Sequence, residues 1–140
     1  MGFNNLSHLN WLAILVGAVG YFVLGALWYT KILFGNSWIR LTGINPNDPN
    51  AKKGAGGIMG FSFVLMFIAS IGIALFLSRV GVSSWMSGLK TGLVAGVCFS
   101  ATAVWISYVY EKKPFGLVAI NCGYNIVGCM ICGIIQAVWP

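Results

Sequence analysis

Four stretches of this sequence, residues 9–29, 58–80, 88–110 and 115–139, are each long and apolar. About 20 such residues suffice for a helix to cross a hydrocarbon core. Only two charges fall inside these stretches, Arg79 and Lys90, both close to an end, where a long basic stem reaches the headgroups. In lipid every backbone N–H and C=O must be satisfied within the chain, so each stretch is expected to be a helix. A soluble core is excluded by composition. Of 140 residues, 59% are hydrophobic and 7% charged, where soluble domains carry about 25% charged residues. The sequence therefore predicts an all-α polytopic integral membrane protein, a single domain over 1–140 with four transmembrane helices in a bundle.

The one long connection, 30–57, is not uniformly polar. Residues 32–41 are too apolar for a solvated loop and too short to span, so a short interfacial helix is expected there. Asn45-Pro-Asn-Asp-Pro49 is a turn-rich break. Aromatic residues sit where a membrane–water boundary would fall: Trp11, Trp28, Tyr29, Trp38, Trp85 and Trp139. Lys31, Arg40, Lys52, Lys53, Lys112 and Lys113 share one side of this topology, whereas the other side holds only Arg79 and Lys90. The positive-inside rule then puts loops 30–57 and 111–114 in the cytoplasm and both termini outside the inner (cell) membrane. Met1 to Asn10 contains no Lys or Arg, so it lacks the basic region of a signal peptide, and the first helix is expected to remain in the mature protein.

Small residues supply the packing signals. Gly88, Gly92, Gly96 and Ser100 recur every fourth position, so they share a helix face. In lipid such a strip lets another helix approach closely. The third helix is therefore expected to be central, with the first helix offering Gly17 and Gly25 and the fourth offering an amide face. Ser70, Ala74 and Ser78 form a strip on the second helix. On the fourth, Asn121, Asn125, Gly128, Cys132 and Gln136 follow three- and four-residue steps.

Residues capable of chemistry are few. His8 is the only histidine, and catalytic zinc or haem would need further ligands. Cys98, Cys122, Cys129 and Cys132 fall in apolar stretches, where thiols act as small apolar groups. Asp48 and Glu111, the only acids, lie in loops. No intramembrane carboxylate is present to carry protons, and no base is placed to activate a hydroxyl. The expectation is no catalytic residue, no metal, no cofactor and no enzyme. Basic residues are scattered at helix ends, which does not suit nucleic acid.

Asn10-Trp-Leu-Ala-Ile-Leu-Val16, Leu24-Gly-Ala-Leu-Trp-Tyr29, Leu33-Phe-Gly35 and Trp38 occur in order along the chain, followed by Tyr110-Glu-Lys-Lys-Pro114, Ile120-Asn-Cys-Gly-Tyr124 and Gly133. In these segments the chain resembles the bacterial four-helix membrane family catalogued as domain of unknown function (DUF) 1761. Thr30-Lys31 departs from a Ser-Pro pair that often follows Trp-Tyr in that pattern. The resemblance implies fold and location and brings no catalytic residue. Two functions stay open. One is an interaction protein in the bilayer, either a homo-oligomer or an accessory subunit bound to another membrane protein. The other is a small permease or channel for an anion or small polar solute, with Lys90, Asn121, Asn125 and Gln136 lining the path.

Overall fold

The computed structural model describes residues 3–45, 47–50, 53–81 and 84–139; Lys52 of the basic loop lies outside these. Among the described residues the fold is all-helical. After a short 3-10 turn, Phe3–His8, come α1 (Trp11–Trp28), α2 (Gly35–Thr42), α3 (Ala55–Val80), α4 (Trp85–Ala95), a π-helical segment (Gly96–Ala101), α5 (Thr102–Tyr110) and α6 (Phe115–Val138). Among the described residues, four units are long and apolar enough to cross a membrane: α1, α3, the continuous span Trp85–Tyr110, and α6.

Local chemistry sets the ends. Asn10 caps α1 by accepting from the Ala13 N–H at 3.1 Å. Ser84 does the same for α4, accepting from the Ser87 N–H at 3.2 Å. Gly81 ends α3 in the left-handed conformation (φ 74°), which a residue without Cβ adopts freely. Pro114 precedes the first residue of α6, where its fixed φ and missing N–H cost nothing. A short helix, α2 (Gly35–Thr42), overlaps the 32–41 stretch expected to form one.

The hub is α6, not the third span. It packs on α1, α3, α4, the π segment and α5, and it is the most enclosed of the four spans. The reason is that α6 carries small residues on more than one face. Toward α4, a Cβ on Gly92 would lie 2.7 Å from Met130 Cα, and one on Gly96 would lie 2.7 Å from Ile126 Cα. Gly88 meets Gly133 and Ala137. The glycine strip is thus spent inside the chain, backbone against backbone. Toward α1, Gly128 receives the ring of Tyr21. The glycines of α1 likewise do not serve the third span. Gly17 faces Ser70 of α3 with Gln136 and Cys132 of α6, and Gly25 faces Tyr124.

One helix is only partly held. All buried residues of α3 lie at or beyond Ser70. Upstream, Gly56, Gly57 and Gly60 have no neighbour among the described residues within 4 Å of a Cβ position, and Ile58, Phe61, Val64, Leu65 and Ile68 are exposed. The face of this half with Met59, Ser62 and Met66 lines a cavity against α1 and α6.

Candidate functional site

Polar side chains of α6 meet polar side chains of its neighbours at two levels. At the level near the basic loops, the Tyr29 hydroxyl donates to Asn121 Oδ1 at 2.5 Å. Asn121 Nδ2 donates to the Tyr108 hydroxyl at 2.8 Å, tying α1, α5 and α6 together. One turn on, the Tyr21 hydroxyl donates to Asn125 Oδ1, while Asn125 Nδ2 donates to the Asn121 carbonyl at 2.8 Å. Tyr124 stands edge-on to both Tyr21 (centroids 5.2 Å) and Tyr29 (5.5 Å). Both asparagines are therefore engaged as interhelical links. Each such bond contributes about 0.6–2 kcal/mol in a membrane.

The second level lies near the end that carries the termini. Gln136 Nε2 donates to the Ser70 carbonyl at 3.0 Å and to Ser70 Oγ at 2.7 Å. Ser70 Oγ donates onward to the Ile14 carbonyl at 2.8 Å, and Cys132 Sγ donates to the Gly17 carbonyl at 3.3 Å. Ser70 is fully buried and Gln136 is 8% exposed. Gln136 Oε1 is buried without a hydrogen-bond partner among the described residues. An unpaired buried acceptor costs about 1–3 kcal/mol.

Cavities flank this layer on both sides. On the terminal side a cavity of about 200 Å³ is bounded by His8, Asn10, Ala74, Ser78, Gln136 and Trp139, among others. On the other side a cavity of about 290 Å³ is lined by Tyr21, Ser62, Met66, Ala69, Ser100, Tyr124 and Asn125. It adjoins a third of about 270 Å³, with which it shares Ser62, Met66 and Tyr124. Each could hold a small molecule, since a single water needs only about 10–15 Å³ on this measure. Ala69 lines the lower cavity and Ala74 the upper, with Ser70 between them.

A family described as protein of unknown function (DUF1761) matches residues 12–137. The chain belongs to the DUF1761 family. No curated protein and no solved structure matches it. DUF1761 membership covers α1 through nearly all of α6, so both polar levels lie within the family's domain.

The residues singled out in the sequence separate into distinct places. Asn121 and Asn125 form one level and Gln136 the other. Lys90 joins neither. It is exposed on α4 and lines an apolar groove with Arg79. Gly88, Gly92 and Gly96 are buried on α6, and Ser100 approaches Cys129 Sγ at 3.7 Å. Two aromatic residues read as boundary anchors also reach inward: the Trp28 indole donates to the Ile120 carbonyl at 3.0 Å, and Tyr29 bonds Asn121. Trp38 packs edge-on against Tyr29. Trp11, Trp85 and Trp139 are exposed, and the Trp139 carbonyl accepts from Asn10. The sequence reading took Ser70 only as one member of a small-residue strip, and it gave Tyr21 and Tyr124 no role. The strip Ser70–Ala74–Ser78 marked the right face of α3. Nothing marked the tyrosines, because an aromatic residue in an apolar run reads as bulk. Among the described residues, no three His, Cys, Asp or Glu side chains converge as a metal site.

Proposed function

We propose that this DUF1761 protein is a small permease for an uncharged polar solute carrying N–H or O–H donors. One observation carries the reading: a buried layer, Ser70 with Gln136, lies between two cavities that each combine polar side chains with a largely apolar lining, and it holds an acceptor, Gln136 Oε1, without a partner among the described residues. A solute donor would satisfy that acceptor on entry and compete with Ser70 for the amide. The lower cavity offers the Tyr21, Asn125 and Ser62 side chains for the next stage. With Lys90 on another face, nothing cationic from the spans supports an anion path. The reading involves no cofactor and no enzyme chemistry. The basic-residue asymmetry favours the terminal-side cavity as the outer one in the inner membrane.

The test is shrinkage and re-swelling of proteoliposomes challenged with urea, then glycerol, followed by light scattering. Recovery faster than in protein-free vesicles, abolished by Gln136→Leu, is the expected result. Recovery equal to empty vesicles for both solutes, or unchanged in Gln136→Leu, overturns the proposal.

A second reading, the interaction protein, is favoured by the open first half of α3. Its Gly56, Gly57 and Gly60 are unopposed, which suits a close helix from a second copy or from another membrane protein. Native mass spectrometry in mild detergent distinguishes a defined oligomer, a fixed-ratio complex and a monomer.

A further inference from the structure

We propose that an anionic phospholipid occupies the groove between α3 and the third span, its phosphate held by Arg79 and Lys90 and one acyl chain lying below them. The groove measures about 370 Å³ and is lined by Phe76, Arg79, Val80, Lys90, Thr91, Val94, Ala95 and Phe99. Its polar and apolar parts are separated along its length. The Thr91 hydroxyl is committed to the Ser87 carbonyl at 2.8 Å, which leaves two cations at the head and an apolar wall beneath.

Three features match a lipid. First, Arg79 is in the last turn of α3 and Lys90 early in α4, so both sit at the boundary where headgroups lie, near the exposed Trp85. Second, the wall from Lys90 down to Phe99 runs about 13 Å along the helix, close to one leaflet of a core about 30 Å thick. Phe76 and Phe99, with ring centroids 6.0 Å apart, form its far end. Third, among the described residues no acidic side chain shares this end of the bundle: Asp48 and Glu111, the only acidic side chains in the sequence, belong to the loops at the opposite end. Two like charges lining one groove repel, and an anion between them removes that repulsion while adding charge-assisted hydrogen bonds. This proposal is independent of the permease reading, because Lys90 and Arg79 line neither polar cavity.

The experiment is native mass spectrometry of the detergent-solubilised chain titrated with phosphatidylglycerol, phosphatidylcholine or inorganic phosphate. Preferential retention of phosphatidylglycerol is expected. Arg79→Gln with Lys90→Gln should weaken it about thirtyfold, since each basic residue near an anionic lipid contributes about fivefold. Val94→Trp should weaken it too, by filling the groove without altering charge. Lys112→Gln with Lys113→Gln, the same loss of charge at the other end, should leave it unchanged. Equal retention of phosphatidylcholine overturns the proposal. So does displacement by phosphate at equal concentration, or equal loss in the Lys112/Lys113 variant.

Discussion

Replacing Gly92 by alanine tests the account of the core, because the same substitution at Gly60 provides an internal control. Both glycines are helical. A Cβ at Gly60 meets nothing within 4 Å, whereas one at Gly92 would lie 2.7 Å from Met130 Cα and 2.8 Å from the Cys129 carbonyl carbon. That is roughly 0.7 Å inside ordinary contact distance. The opposing atoms are backbone of α6, so no side chain can rotate away. The span must move as a unit, and it would lose contacts at Gly88 and Gly96 together. Overpacking of this kind costs about 1–3 kcal/mol; with the obstacle on the backbone we expect about 2 kcal/mol or more, a factor of about 30 in the folding equilibrium. The gain in helix propensity, up to about 1 kcal/mol in water, applies to both variants and cancels in the comparison. Reversible unfolding in mixed micelles, followed by tryptophan fluorescence, gives the difference directly. If Gly92→Ala and Gly60→Ala unfold together, the α4–α6 contact is not the close packing described above.

Other expectations follow from the polar levels and the caps. Asn121→Leu should destabilise more than Tyr29→Phe, by about 1 kcal/mol in the same unfolding assay, because it strands the hydroxyls of both Tyr29 and Tyr108 while the tyrosine change removes one bond. Gln136→Leu should shift stability by no more than about 1 kcal/mol, since it deletes an unpaired acceptor along with two good bonds; a loss above about 3 kcal/mol would mean that Oε1 is satisfied. In a cysteine-free background, Ser78→Cys should react with a membrane-impermeant thiol reagent from the terminal side only and Ser62→Cys from the opposite side. Labelling of both from one side would refute a sealing layer at Ser70. Gly43→Ala should fray α2 at a cost of about 1–2 kcal/mol, since Gly43 ends that helix at φ 73°; a weakened helical signal from a spectroscopic probe on Trp38 would show it.

The spans were legible because bilayer thickness and backbone satisfaction leave a chain of this composition few alternatives. The rows of small residues were legible too, since a four-residue step fixes a face regardless of context. What a row meets is not encoded in its spacing. Gly88, Gly92 and Gly96 read equally well as a seam within the chain or between chains, and only the complementary row at Cys129, Gly133 and Ala137 decides it. Partners of buried amides are harder still. Tyr21 and Tyr29 supply hydroxyls to Asn125 and Asn121 across about a hundred residues of sequence, and no local pattern distinguishes such a tyrosine from a boundary aromatic. The placing of Lys90 was hidden for a related reason: its position along the chain does not say which neighbour it faces, and in the structure it is exposed and lines a groove with Phe76, Arg79 and Val80 of α3.

The position of α6 as hub bears on biogenesis. Of the four spans it is the last to leave the ribosome, yet the others find most of their partners on it. At about 5–20 residues per second, its 24 residues follow the completed third span by one to several seconds. Throughout that interval the glycine groove of α4 faces lipid or the insertion machinery, and the Tyr21 and Tyr29 hydroxyls have not met their amides. The nascent chain therefore passes through a three-span stage with its adhesive surfaces open. It is then that a holding factor at the translocon, or premature pairing with another nascent copy, would have its greatest influence on how much protein matures.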